Sequence, residues 1–288
     1  MRQPIIPRRS VLYMPGSNLR AMQKAQSLPC DAVILDLEDA VAPDQKELAR
    51  VQVADMVRQK GFGQREVIVR INALSTVWGA ADLAAAKAAE PDAILVPKIS
   101  APAELAELES RLGDSSARLW AMIETPQAIL RLEALAAAGG RLSCFVMGTN
   151  DLVKELRGRH TQDRAGIAAA LSLAVAAARA YHLAIIDGVY NDIQNLAGFE
   201  AACRQGLAFG FDGKTLIHPN QIDPCNQIFA PDAGDVDAAR KIIAAFDAPE
   251  NHGKGAIALD GRMVERLHAD IARQTVALAD AIAARKGN

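Results

Sequence analysis

Two carboxylates stand just beyond short apolar runs of this chain. Glu124 follows residues 119–123, and Asp151 follows residues 143–147 in the segment Gly148-Thr-Asn-Asp151. On neighbouring strands, about 4.8 Å apart, two such side chains can converge on one hard cation. Mg2+ is the natural choice, with Mn2+ as the alternative, because it takes one or two carboxylates, keeps waters and accepts substrate oxygens. The competing role is a helix cap, which the position of Glu124 just before Thr125-Pro126 would suit. Arg70 lies inside the apolar run Val67-Ile-Val-Arg-Ile-Asn72. Its charge is costly to bury alone, so it needs either a substrate carboxylate or an ion pair with Glu38 or Asp39. Glu38 thereby joins the catalytic candidates. Lys98 is open to three roles: a Schiff base, a clamp on substrate phosphate or carboxylate, or a partner of Glu124. His218, in Ile-His-Pro, either lines the site or is a hydrogen-bonded structural histidine. Cys144 and the methionines read as core.

These residues share one property: each stands at or near the end of an apolar run. Runs at 10–13, 32–36, 67–71, 93–97, 119–123, 143–147, 183–187 and, less clearly, 210–215 carry Val, Ile and Leu without alternation. Strands buried on both faces need that content, and such strands belong to parallel sheets covered by helices. Helical periodicity fills the gaps at 18–27, 45–60, 77–90, 103–112, 125–138 and 165–181. Eight such units predict an α/β TIM (β/α)8 barrel, whose active site lies at the C-terminal strand ends. A doubly wound sheet is the alternative, but no GxGxxG follows the first strand. Residues 1–232 are assigned to the barrel and 233–288 to a C-terminal helical extension. In that extension we expect helices at 236–246 and from about Met263 to Arg285, with a glycine-rich segment at 252–261. Glycines on both sides of Lys254 suggest a hinge, and the extension a lid or a subunit contact.

Composition narrows the partners. Against 34 acidic residues stand 32 Lys and Arg, a net charge of −2, so no basic excess is present to collect nucleic acid or an anionic membrane. Half the residues are hydrophobic and only 4% aromatic, so the core is aliphatic. The longest charge-free run, 165–178, is shorter than the ~20 residues of a membrane span. The opening MRQPIIPRRS has no signal-peptide core, and four cysteines without a CxxC pair suit a reducing compartment, so cytoplasm is expected.

Taken together, the segments Arg9-Ser-Val-Leu-Tyr-Met-Pro-Gly-Ser-Asn18, Asp36-Leu-Glu-Asp-Ala-Val41, Val69-Arg-Ile-Asn72, Val96-Pro-Lys98, Ile123-Glu-Thr125, Gly148-Thr-Asn-Asp-Leu152, Gly213-Lys-Thr-Leu-Ile-His-Pro-Asn-Gln221 and Gly253-Lys-Gly-Ala256 carry a resemblance. Over nearly its whole length the chain resembles the citrate lyase beta-subunit-like family of the HpcH/HpaI aldolase superfamily, which includes malyl-CoA and citramalyl-CoA lyases. The resemblance implies a Mg2+-dependent barrel, homotrimeric or hexameric, that breaks or forms a C–C bond beside a thioester. It places metal ligands at Glu124 and Asp151 and the substrate-carboxylate arginine at Arg70. CoA contacts fall on Tyr13, Arg20 and Lys24, and a further substrate-contacting pair on Ile217 and His218. The family's lid carries an acid/base aspartate that reaches a neighbouring subunit. Here the matching segment reads Gly261-Arg-Met-Val-Glu265, so Glu265 keeps the carboxyl one methylene further out.

The implied reaction cleaves a 3-hydroxyacyl-CoA thioester, such as malyl-, citramalyl- or citryl-CoA, into an acyl-CoA and a 2-oxo acid. A base removes the hydroxyl proton and an enolate leaves, with Glu265 exchanging the proton and Mg2+ polarising the oxygen. Three rivals use the same scaffold: an acyl-CoA thioesterase, a class II pyruvate aldolase, and a carrier-binding subunit of a citrate lyase complex. Arg20 and Lys24 share a helix face at i, i+4 and would serve the phosphopantetheine of CoA or of an acyl carrier protein.

Overall fold

The unalternating Val, Ile and Leu runs become strands because both of their faces are covered. In the computed structural model, which describes residues 5–286, eight of them close a parallel barrel in chain order. They are β1 (Ser10–Pro15), β2 (Ala32–Asp36), β3 (Glu66–Arg70), β4 (Ala93–Val96), β5 (Arg118–Ile123), β6 (Leu142–Met147), β7 (Ala184–Asp187) and β8 (Gly213–Leu216), and β8 returns to β1. Around them lie α1 (Leu19–Ala25), α2 (Lys46–Arg58), α3 (Gly79–Ala89), α4 (Pro102–Leu112), α5 (Pro126–Leu130), α6 (Leu132–Ala136), α7 (Thr149–Glu155), α8 (Ala168–Ala180), α9 (Leu196–Phe209) and α10 (Ile222–Ile228). The predicted TIM barrel is therefore the fold.

Successive strand side chains point to opposite faces, which sorts the core into two shells. Leu12, Val33, Leu35, Val69, Ile94 and Phe145 pack outward with helix residues such as Met22, Val53 and Leu108. Val11, Ile34, Ile68, Leu95, Trp120, Met122 and Val146 form a separate inner cluster. Towards the strand starts, Arg8 lies 5.2 Å over the Trp120 ring and donates to both Glu66 oxygens, at 2.6 and 2.8 Å. Those contacts plug the base with a paired charge. The same inward parity carries Tyr13, Asp36, Arg70 and Glu124 to the other end.

Contacts divide the chain into two units, Arg8–Phe229 and the described residues before Arg8 together with those from Ala230 on. In the second unit α11 (Ala233–Asp247), whose N-cap Asp232 accepts from Asp235 N–H at 2.8 Å, packs on α12 (Arg266–Lys286). Phe246, Ile257 and Ala269 form its small core. Among the described residues no helix is long and apolar enough to cross a membrane.

Three expectations need correction. Residues 125–138 hold two short helices rather than one, because Arg131 leaves helical geometry at φ −124°. The glycine-rich segment contains β9 (Ala256–Leu259), paired antiparallel with β10 (Arg262–Glu265). The final helix begins at Arg266, so Met263 and Glu265 stand on a strand. Asp260 and Gly261, both at positive φ, make the two-residue turn between them, as a primed hairpin turn requires.

Candidate functional site

Arg70 ends β3 directly opposite Asp36, the last residue of β2. The two form a bidentate pair, Nε to Oδ1 and Nη2 to Oδ2, both at 2.6 Å. Asp36 is thereby the main partner that sequence reasoning assigned to Glu38 or Asp39. Glu38 is a second partner, with Oε2 2.9 Å from Arg70 Nη1, and Asp39 lies further off at 3.9 Å. Asp36 also accepts the N–H groups of Glu38 (2.9 Å) and Ala40 (3.2 Å), so one carboxylate folds the turn and fixes the guanidinium. The Tyr13 ring lies 4.8 Å from the guanidinium carbon, a cation–π contact that fixes its plane.

Glu124 follows β5 and is 2% exposed. It caps nothing, since Thr125 Oγ1 accepts Ala128 N–H and starts α5. Glu124 Oε1 accepts the backbone N–H of Lys98 at 2.8 Å. That amide is turned inward by a left-handed backbone at Lys98, φ +57°, a strained state for a residue with a side chain. The Lys98 ammonium is half-exposed and lies 4.0 Å from Glu38, so it is the amide and not the ammonium that meets Glu124. Asp151 sits in the first turn of α7, half-buried, with Lys154 Nζ at 4.0 Å.

Electrostatics tie these acids together. Burial, reinforced by the charges of Glu38 and Asp151, pushes the Glu124 carboxyl up to about 8. Burial also raises Glu38 to about 7, against the pull of Arg70. Glu38 Oε2 accepts no hydrogen bond despite the nearby guanidinium. Arg70 is spent first on Asp36, which leaves the carboxyl groups of Glu38, Glu124 and Asp151 as the hard-oxygen donors at the strand ends. Among the described residues no three acidic, histidine or cysteine side chains form a complete metal cage. A divalent cation that keeps its own waters fits such a two-carboxylate site.

The structure thus brings together Tyr13, Glu38, Arg70, Lys98 and Glu124, with Asp151 within electrostatic reach. Arg20 and Lys24 stand exposed on α1. Ile217 is exposed, and His218 Nδ1 accepts Asn220 N–H at 3.2 Å, a local turn-capping role. Glu265 belongs to the second unit, half-buried at the end of β10. Sequence reasoning missed Gly148, which borders Glu124, and the buried Lys46 and Asn72 that hold the turn after β2.

The barrel thus gathers buried carboxylates and a clamped arginine at the C-terminal ends of its strands. The chain belongs to the HpcH/HpaI aldolase/citrate lyase family, whose profile matches residues 9–219. It is 49% identical over 278 residues to a (3S)-malyl-CoA thioesterase of Cereibacter sphaeroides, covering 96% of each chain. It is 33% identical over 282 residues to the citrate lyase subunit beta of Escherichia coli, covering 95% of this chain and 93% of that one. CitE of Mycobacterium tuberculosis, solved in complex with magnesium, acetoacetate and coenzyme A, superposes with a TM-score of 0.77 at 28% identity. That match covers 94% of this chain and 97% of CitE.

Proposed function

We propose that this protein hydrolyses a 3-hydroxyacyl-CoA thioester of the malyl-CoA kind, with Mg2+ held by Glu124 and Asp151. The observation that carries the reading is the buried acidic mouth around a guanidinium fixed on two sides by Asp36 and Glu38. Such an arginine meets a substrate carboxylate with little reorganisation left to make. Magnesium, when bound, supplies Lewis-acid polarisation of the reacting carbonyl. In this reading Glu38 takes a proton from water as the water oxygen bonds to the acyl carbon. The C–S bond then breaks and the thiolate takes up the proton. Arg20 and Lys24 have no acidic partner among the described residues and offer two cations to the CoA diphosphate. The likeness to the Cereibacter sphaeroides thioesterase over 96% of each chain supports hydrolysis.

A second reading is C–C cleavage to an acyl-CoA and a 2-oxo acid. It is favoured by the carboxylate of Glu265 in a segment that resembles the family's lid motif. In that reading Glu265 exchanges the proton, from a lid formed by residues 233–288 in a trimeric or hexameric assembly. One assay separates the two: malyl-, citramalyl- and citryl-CoA with Mg2+, recording free thiol and 2-oxo acid independently. Thiol without oxo acid is the expected result. Oxo acid without thiol overturns hydrolysis in favour of the lyase, and silence in both channels overturns both readings.

A further inference from the structure

The turn after β2 is gripped by a buried cation for which the proposed chemistry has no direct use. Lys46 opens α2 and is 5% exposed, and its Nζ donates to Leu37 O, Glu38 O and Asn72 Oδ1, each at 2.8 Å. Asn72 is buried in turn: its Nδ2 donates to Leu37 O at 2.7 Å and to Asp82 Oδ2 at 2.5 Å. Arg50 Nε holds the other Asp82 oxygen at 2.7 Å, and the Trp78 ring lies 5.2 Å from the ammonium. A buried ammonium is costly, and apolar residues of similar volume often serve stability as well or better. All three acceptors here are neutral, and two are consecutive main-chain carbonyls. What they fix is the backbone that bears Glu38.

We propose that Lys46 is a positioning residue: by gripping the carbonyls of Leu37 and Glu38 it sets the Glu38 carboxylate against Arg70 and so aims the guanidinium. This rests on the reading of Arg70 as the substrate-carboxylate clamp. Asp36 holds the Nε and Nη2 edge of Arg70 from the strand itself, whereas Glu38 holds Nη1 from the turn. Releasing the turn therefore loosens one edge of the clamp. Displacements of about 1 Å at such a contact cost up to ~10²-fold.

The test is calorimetric binding of malate and of free CoA, each with Mg2+, to the full-length protein and to Lys46→Met. The expected result is a circular dichroism spectrum like that of the unaltered protein, malate affinity weakened about tenfold or more, and CoA affinity within twofold. Asn72→Ala, which removes the third acceptor of Lys46, is expected to show the same split. A folded Lys46→Met that binds malate normally overturns the proposal, as does an equal loss for both ligands. Failure of both variants to fold also overturns it, assigning the network to stability. An unaltered protein that binds neither ligand overturns the Arg70 reading itself, and the proposal with it.

Discussion

Gly148 decides how Glu124 can lie. Its φ of −88° is ordinary for any residue, so space alone demands a glycine there. A methyl group would overlap Glu124 Oε2 and stand 2.5 Å from its Cβ. Gly148→Ala is therefore expected to leave the barrel folded while displacing the carboxylate. Mg2+ affinity should fall tenfold or more by calorimetric titration, and unchanged affinity would remove Glu124 from the ligand set. At this scale the sequence was legible wherever a charge interrupted an apolar run, as at Arg70 and Glu124. Lys46 was not, because a lysine after Pro43-Asp44-Gln45 reads as the solvated start of a helix. Its burial depends on Asn72, which only the closed barrel brings to it. The left-handed turn at Lys98 was equally hidden, since nothing in a lysine's chemistry asks for positive φ.

Among the elements, β7 and β8 show how a buried charge is kept in register. Asp187 pairs with Lys214 across the two strands at 2.8 Å, and Arg164 Nη1 donates to both carboxylate oxygens at 2.7 and 2.8 Å. Lys214 is 2% exposed, and Gly206 of α9 makes room for Asp187, since a Cβ there would lie 2.9 Å from Oδ2. Asp187→Ala leaves two cations without their anion and is expected to cost about 3–5 kcal/mol in urea unfolding. Adding Lys214→Met should recover part of that loss, and a double variant no better than the single one would break the pair's assigned role. The barrel strands could be read from composition because burial on both faces leaves a run with no alternation. The hairpin after α11 was missed: Asp260-Gly261 is its signal, but the glycines on either side of Lys254 drew the reading to a hinge. The split at Arg131 had no such signal, because residues 125–138 keep helical spacing across it.

For the whole molecule, the acidic mouth couples stability to pH. Glu38 and Glu124 rise from 4.5 to about 7 and about 8, chiefly by burial. The folded chain therefore binds more protons than the unfolded chain between those values. Stability contributed at these sites is full below about 4.5 and is lost as pH climbs through 7 to 8. A cation that binds the ionised carboxylates counters this loss. Thermal melts are expected to show Mg2+ raising Tm more at pH 8 than at pH 5.5. Equal increments at both would place the ion elsewhere.

Only two tryptophans occur in the chain, and the fold has put them in very different places. Trp120 is sealed inside the barrel above Arg8, where only loss of the barrel can change its surroundings. Trp78 is partly exposed beside the Lys46 ammonium, on the network that carries Glu38. The protein therefore carries one tryptophan whose emission stays constant until unfolding and one coupled to the arginine clamp. With Trp78→Phe as the blank, ligand binding at the clamp can be followed by emission alone, without a label.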